Sequence, residues 1–200
     1  MRGLSSISTL AIFAVGLTLF AASPLPPTAE FIGWRGQTAV FSDTPSNPAG
    51  GPSKTSYFIM TGSRVTPVRV PGVTQAGRPE PSAELRILSD PREEEALRAA
   101  IDKWNESEKR ESPKFPSVRA TLIVTVKRDG QDTQIWRNTR TLGAYAAEGG
   151  YNYDPPRLRS AQWSPSGLSL LIELVNDSGA EYVLVPAPRA VKPGPVKPKP

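Results

Sequence analysis

The chain has neither cysteine nor histidine among its 200 residues. Without cysteine there can be no disulfide, no thiolate zinc site and no cysteine nucleophile. Without histidine the chain lacks the commonest general base, the commonest metal ligand and every serine–histidine triad. No other catalytic signature stands in the sequence. We therefore expect no catalytic residues, no cofactor and no metal site, and the composition favours a protein that is not an enzyme.

The central part of the chain has no excess of charge of either sign, although the formal net charge is +5. Five basic residues lie near the two ends: Arg2, Arg189, Lys192, Lys197 and Lys199. Subtracting these five from 24 basic residues leaves 19, which equals the 19 acidic residues. Nucleic-acid binding needs basic residues gathered on a folded face. The distribution therefore predicts no nucleic-acid partner.

The N-terminal segment has the pattern of a targeting sequence. Arg2 supplies a positive start, and residues 3–29 carry no charge. Residues 10–22 are almost entirely apolar and are followed by small residues, which is typical of a secretory signal. The uncharged run is also close to membrane-spanning length. Residues 1–23 are therefore interpreted as a signal peptide or an N-terminal membrane anchor. We expect the rest of the chain outside the cytoplasm, either periplasmic or extracellular, or held on the membrane by a single span.

Proline, which accounts for 22 residues, divides the rest of the chain. Residues 24–30 are predicted to be a proline-rich spacer, and residues 187–200 a disordered, basic, Pro-rich tail. Between them, residues 31–186 are predicted to form a single β-rich domain of the α+β class. We expect a mostly antiparallel sheet of about seven or eight short strands and one amphipathic helix. Proline- and glycine-rich stretches ending at residue 81 and spanning residues 143–156 are interpreted as loops.

The helix is predicted over about residues 91–109. Asp90 is a suitable N-cap, Pro91 fits the first helical position, and Glu93 is expected to close a capping box. Apolar residues at helical spacing are expected to form one face: Leu97, Ala100, Ile101 and Trp104.

The clearest strand covers residues 118–127. Its alternate residues are apolar and should share one face: Val118, Ala120, Leu122, Val124 and Val126. Asp129 and Gly130 predict a hairpin turn that leads into a returning strand. Earlier in the chain, Pro67 predicts that its strand lies at the edge of a sheet, because proline has no N–H for the ladder.

Residues 161–172 read AQWSPSGLSLLI. Trp163, Ser164, Pro165 and Gly167 resemble the Trp-Ser-Pro-Asp-Gly-Lys repeat of TolB-type, WD40-like β-propellers. Serine at 166 stands where that family has Asp, and leucine at 168 where it has Lys. The motif occurs once, and the likeness extends over about residues 118–186. The resemblance implies a module that binds proteins without chemistry of its own. It is explained either by a shared tight turn between antiparallel strands with a buried tryptophan or by a true β-propeller, and the absence of a second copy favours the shared turn.

Aromatic and arginine side chains are concentrated around the predicted loop at residues 143–156. Such mixtures are typical of binding hot spots. The possible partner-binding residues are Tyr145, Tyr151, Tyr153, Arg157 and Arg159. The alternative is that the tyrosine-bearing loop folds down to cover the sheet.

These patterns favour a binding or accessory protein of the cell envelope. The expected partner is another envelope protein or an acidic envelope polymer, and the N-terminal segment would provide contact with the membrane. One alternative is an extracytoplasmic hydrolase that uses carboxylates or a serine–lysine pair. Another is a structural tether that uses the Pro-rich tail.

Overall fold

The computed structural model describes residues 25–46, 53–73, 75–107, 113–128 and 130–187. The predicted signal or anchor and the tail beyond residue 187 lie outside the described residues. Strands and helix follow in the order β1 (Glu30–Arg35), β2 (Thr38–Asp43), β3 (Ser56–Thr61), β4 (Arg64–Val68), β5 (Arg78–Pro79), β6 (Ala83–Leu88), α1 (Pro91–Asn105), β7 (Val118–Arg128), β8 (Gln131–Leu142), β9 (Tyr145–Ala147), β10 (Gly150–Asn152), β11 (Arg157–Trp163), β12 (Ser169–Asn176) and β13 (Gly179–Pro186).

The predicted fold class is confirmed: the chain is α+β, with one helix among the described residues and antiparallel pairing throughout their named strands. The thirteen strands in this part of the chain exceed the seven or eight expected. Three of them, β5, β9 and β10, lie in segments interpreted as loops. Each is only two or three residues long. Strand β5 pairs with β11, which lies far along the chain, whereas β9 and β10 pair with each other across a tight turn. None of the three has an alternating pattern that would identify it in the sequence.

The strands form four sheets with the orders β1-β2-β3-β4, β13-β12-β11-β5, β6-β7-β8 and β10-β9. The β13-β12-β11-β5 sheet lies in the middle. On one of its faces Ile172 packs in a core cluster with Leu122 of β7. On the other face Leu171 packs with Phe41 of β2. The molecule is therefore built of three layers, with the β6-β7-β8 and β1-β2-β3-β4 sheets covering opposite faces of the central one.

Strand β7 has the predicted inward face. Its five alternating apolar residues are fully buried, at 0 % exposure: Val118, Ala120, Leu122, Val124 and Val126. Arg128 pairs with Gln131, and Gly130 has a φ of 77°, as the predicted hairpin requires. Residue 129 lies outside the described residues.

The predicted edge position of Pro67 is confirmed, because β4 is the last strand of its sheet.

Segment 25–29, within the predicted spacer, packs against the domain. Ala29 is buried, and the Thr28 hydroxyl donates a hydrogen bond to Asp43 of β2.

Helix α1 begins as predicted, with Pro91 in its first turn and the Asp90 carboxylate accepting from the Arg92 N–H at 2.9 Å. The predicted capping-box role of Glu93 is wrong. The Glu93 carboxylate instead accepts a hydrogen bond from the backbone N–H of Arg119 at 2.8 Å, and so joins the helix to β7. The helix ends at Asn105, four residues before the predicted end.

Two side chains explain where α1 ends. The Ser107 hydroxyl donates to the Trp104 carbonyl, which satisfies one of the last helical acceptors. The Asn105 amide pairs with β10 as a strand would: it donates to the Tyr151 carbonyl and accepts from the Tyr151 N–H, both at 2.9 Å. Gly150 permits this approach, because a Cβ there would lie 2.3 Å from the Asn105 amide oxygen.

The turn between β11 and β12 has the form expected from its sequence. The Gly167 N–H donates to the Ser164 carbonyl at 2.8 Å, and Gly167 has a φ of 71°. The fully buried Ser164 hydroxyl accepts from the Ser169 N–H at 3.1 Å. In the part of the chain that the structure describes, the sheets are stacked in layers, and no closed ring of blades is present.

Candidate functional site

The structure separates the five residues of the predicted binding surface into three groups. Tyr145 and Arg157 meet at one carboxylate, that of Asp177 in the β12–β13 turn. The Tyr145 hydroxyl donates to it at 2.9 Å, and the Arg157 guanidinium lies 3.5 Å from it. Asp154 also bonds Arg157, at 3.0 Å. Sequence reasoning missed both aspartates because neither stands in a motif.

Tyr151 and Tyr153 fold down onto the core, as in the alternative reading of the tyrosine-bearing loop. Tyr153 is buried with Leu97 and Ile101 of α1. Tyr151 packs edge-on to Trp104, with ring centroids 4.8 Å apart. Burial, with the nearby charge of Glu94, raises the pKa of the Tyr153 hydroxyl despite the opposing charge of Arg98. The rings of Tyr151 and Tyr153 therefore pack against α1 and hold it on the domain.

Arg159 belongs to a third group, with Glu173 of β12. The Arg159 guanidinium lies 3.4 Å from the Glu173 carboxylate, which also accepts from the hydroxyls of Ser160 and Tyr182. Burial and the Glu173 charge raise the pKa of Tyr182 to about 12. Arg159 is thus engaged in an ion pair on β12 and does not join Tyr145 and Arg157.

A depression of about 340 Å³ lies beside the Tyr145–Asp177 group. Tyr145, Asp154, Arg140 and Glu181 line it, and the last two form an ion pair. Burial and the hydrogen bond to Asp177 raise the pKa of the Tyr145 hydroxyl. The charged groups around the depression largely neutralise each other, so the depression presents little unbalanced charge to a ligand.

A markedly apolar recess lies elsewhere, along the free edge of β13, and we call it the β13 groove. It has a volume of about 470 Å³, within the range of about 300–1,000 Å³ that is typical of ligand pockets. Trp136 and Asn138 of β8 form one wall, Met60 and Ser63 of the β3–β4 hairpin form the other, and residues 181–186 of β13 form the floor.

The groove is open because the outer layers extend past the central sheet. Asn138 pairs with the buried Leu122 and Trp136 with the buried Val124, so both point toward the central sheet. Asn138 is nevertheless exposed. The central sheet ends at β13, and it does not reach far enough to cover Asn138. The two outer layers therefore flank an empty position next to β13.

The backbone of β13 presents unpaired hydrogen-bonding groups to this position. The Ala187 N–H bonds the Leu168 carbonyl at 2.9 Å, and β12 and β13 pair without a register shift. Because bonded and non-bonded positions alternate in an antiparallel pair, the N–H and C=O groups of Tyr182 and Leu184 point away from β12. Within the described residues nothing pairs with this edge.

Sequence reasoning missed the β13 groove. No residue in it is unusual in type, and the groove arises from the relative positions of three sheets. The one signal in the sequence was the run Tyr182-Val183-Leu184-Val185, which has no charge and no proline although it becomes an edge strand.

Trp163, which is near the tyrosine loop in sequence, lies at the other end of β11. Its indole N–H donates to the Glu80 carboxylate at 3.0 Å, and the Ser82 N–H and hydroxyl donate to the other oxygen of that carboxylate. The Arg128 guanidinium stacks on the Trp163 ring, 5.0 Å from its centroid. Partial burial alone would raise the pKa of Glu80, but the Ser82 and Trp163 hydrogen bonds and the Arg128 charge lower it overall.

Because the folded state lowers the pKa of Glu80, this carboxylate stabilises the fold above its ordinary pKa of about 4.3. That contribution is lost as pH falls from about 4.3 through the lower pKa of the folded state. We expect Glu80→Gln to reduce the dependence of unfolding free energy on pH in this range, measured by urea titration between pH 5 and pH 2.5. Glu84→Gln, at an exposed carboxylate of β6, is the control. Equal acid dependence in both variants would contradict the assignment.

The lysines at 54, 103, 114 and 127, which are those the structure describes, are all exposed. A serine–lysine nucleophile requires a desolvated lysine. Ser56, one of the serines near a lysine in sequence, is exposed as well.

Among the described residues within 25–187, no group of three or more acidic side chains is placed to hold a metal ion. No helix there is both long and apolar enough to cross a membrane.

Comparison of the chain with protein-family models, with curated proteins and with solved structures gives no match.

Proposed function

We propose that this chain is an exported or membrane-tethered binding module of the cell envelope, and that the β13 groove takes an extended segment of another envelope protein. The N-terminal pattern of a positive start and an apolar run supports export. Cell fractionation with N-terminal sequencing of the native protein tests this part. Recovery of the full-length chain in the cytosol would contradict it.

The observation that carries the binding proposal is the open edge of β13 between two overhanging layers. An added strand would bond the free N–H and C=O groups of Tyr182 and Leu184 and continue the central sheet. Such strand addition derives affinity from main-chain hydrogen bonds and specificity from alternate side-chain pockets. Trp136 and Met60 supply apolar walls for those alternate side chains.

The contrast between two sheet edges supports a binding role for β13. Exposed edges promote aggregation, and proteins usually block them with proline or charge. Strand β4 is blocked in this way, by Pro67 and the exposed Arg64. Strand β13 has Glu181 and Pro186 nearer its ends, but its run Tyr182–Val185 carries neither proline nor charge, as expected of an edge that is covered by a partner.

A segment of another protein suits the β13 groove better than the chain's own C-terminal tail does. Five of the thirteen residues from 188 to 200 are prolines. Proline has no N–H and is poorly suited to a ladder. The tether role of the tail stays a separate prediction.

A cross-linking experiment in the native cells tests the groove. A photo-reactive amino acid replaces Asn138, which faces the groove, or Thr139, which faces the outer side of the same strand. We expect covalent protein adducts from position 138 and none from position 139. Adducts at both positions, or at neither, would contradict the proposal.

Filling the groove gives a second readout. We expect Asn138→Trp to reduce partner capture by about tenfold or more, because a side chain then occupies the space of the added strand. Thr139→Trp adds the same bulk on the outer face and should leave capture unchanged. Capture is measured with the cross-linker at Ser63, on the opposite wall. Undiminished capture by the Asn138 variant would exclude the groove as the site.

A further inference from the structure

At the end of the molecule that carries the β11–β12 turn, two arginines converge on one small recess. Arg78 of β5 and Arg128 at the end of β7 line it together with Trp163 and Gly167. The recess has a volume of about 340 Å³. It is separate from the β13 groove, since β5 and β13 lie at opposite edges of the central sheet.

Neither guanidinium is ion-paired within the described part of the chain. Arg128 stacks on the Trp163 ring, and Arg78 lies close to Gly167, where a Cβ would be 2.7 Å from its Nη2 atom. Both side chains are therefore positioned by packing against the β11–β12 turn, while their N–H groups are not committed to a carboxylate.

Among the described residues, Glu80 is the carboxylate near this recess, and both of its oxygens already accept hydrogen bonds. One oxygen accepts from Trp163 and the other from Ser82. Counted over the described residues, Arg78, Arg128 and Glu80 together carry one net positive charge. At the same time the bond from Trp163 to Glu80 fixes the indole ring on which Arg128 stacks.

We propose that this recess is an anion site that binds a phosphate group through Arg78 and Arg128. Guanidinium groups bind oxyanions with paired N–H donors. Two guanidiniums that approach from different strands suit a tetrahedral oxyanion with several acceptor oxygens, whereas one guanidinium already satisfies a planar carboxylate. Gly167, which has no Cβ, lets the Arg78 guanidinium lie against the β11–β12 turn at the edge of the recess. The phosphate is either a free ion or a group carried by an acidic polymer.

Phosphate titration followed by NMR of the four tryptophan indole N–H signals tests the site in the folded protein. We expect inorganic phosphate to shift the Trp163 signal saturably and to leave those of Trp34, Trp104 and Trp136 unmoved. A uniform or non-saturating shift of all four signals would overturn the proposal. So would a saturable shift of another tryptophan only.

Variants assign the site to the arginines. Arg78→Gln and Arg128→Gln should each weaken phosphate binding about tenfold, the loss expected for one charged hydrogen-bonding partner. Arg64→Gln, an equal charge change on β4, should leave it unchanged. Equal weakening by all three variants would show a non-specific charge effect and overturn the site. Circular dichroism confirms that each variant is folded, which is expected because both arginines are exposed.

A third titration, with a polyol-phosphate oligomer, identifies the source of the phosphate. Tighter binding per phosphate by the oligomer, lost in the arginine variants, would assign the site to a polymer. Equal binding would assign it to the free ion, and either result supports the phosphate site. Oligomer binding that survives both arginine substitutions would contradict it. These outcomes do not depend on the β13 groove, so either proposal can fail alone.

Discussion

Phe41→Ala should lower the free energy of unfolding by about 3–5 kcal/mol, the range for truncating a buried aromatic residue. Phe41 has no exposed surface and lies where β2 faces the central sheet. Its ring packs edge-on to Phe31 and Tyr182, with centroids 5.8 and 4.8 Å away. Its removal leaves a cavity between two layers, which rigid sheets cannot easily close.

Urea unfolding at neutral pH measures the effect, and Val70→Ala is the control. Val70 is 70 % exposed, so its truncation should change the free energy of unfolding by less than about 0.5 kcal/mol. A Phe41 variant as stable as the Val70 variant would mean that the β1-β2-β3-β4 sheet does not pack on the central sheet. One wall of the β13 groove would then be misplaced.

Gly77→Ala should also destabilise the fold, by about 1–3 kcal/mol or more, because it adds a methyl group where no space exists. A Cβ at residue 77 would lie 2.4 Å from the Trp34 Nε1 atom and 2.9 Å from the Trp163 carbonyl oxygen. The backbone of this segment passes between two fully or largely buried tryptophans. Moving Trp34 and Trp163 apart to make room for the methyl group would strain β5, and the Arg78 side chain would move with that strand.

The matched control is Gly143→Ala, because a Cβ there meets nothing within 4 Å and the backbone has no left-handed conformation. Thermal unfolding of the two alanine variants is compared directly. We expect a clear drop in melting temperature for the Gly77 variant alone. Equal melting temperatures would show that β5 is not held between Trp34 and Trp163.

The parts of the fold that could be predicted are those specified by local patterns. Strand β7 alternates apolar and polar residues, so its buried face could be identified from sequence. Helix α1 combines Asp90, Pro91 and an apolar face in one segment. The tight turn at Ser164–Gly167 likewise depends only on its own four residues.

The parts that could not be predicted depend on contacts between distant segments. Glu93 bonds the Arg119 backbone, 26 residues away, in place of its own helix. Tyr151 and Tyr153 are of a residue type typical of binding surfaces, but their rings pack against α1. The β13 groove exists because β8 and the β3–β4 hairpin overhang β13, and a single sequence contains no information on how far one sheet extends past another.

Amide hydrogen exchange along β13 in the free protein tests the open edge most directly. The N–H groups of Glu181, Val183 and Val185 bond β12 and should exchange slowly, whereas those of Tyr182 and Leu184 should exchange rapidly. On binding the segment captured at position 138, the latter two should become protected as well. Tyr182 and Leu184 amides that already exchange as slowly as their neighbours in the free protein would contradict the account.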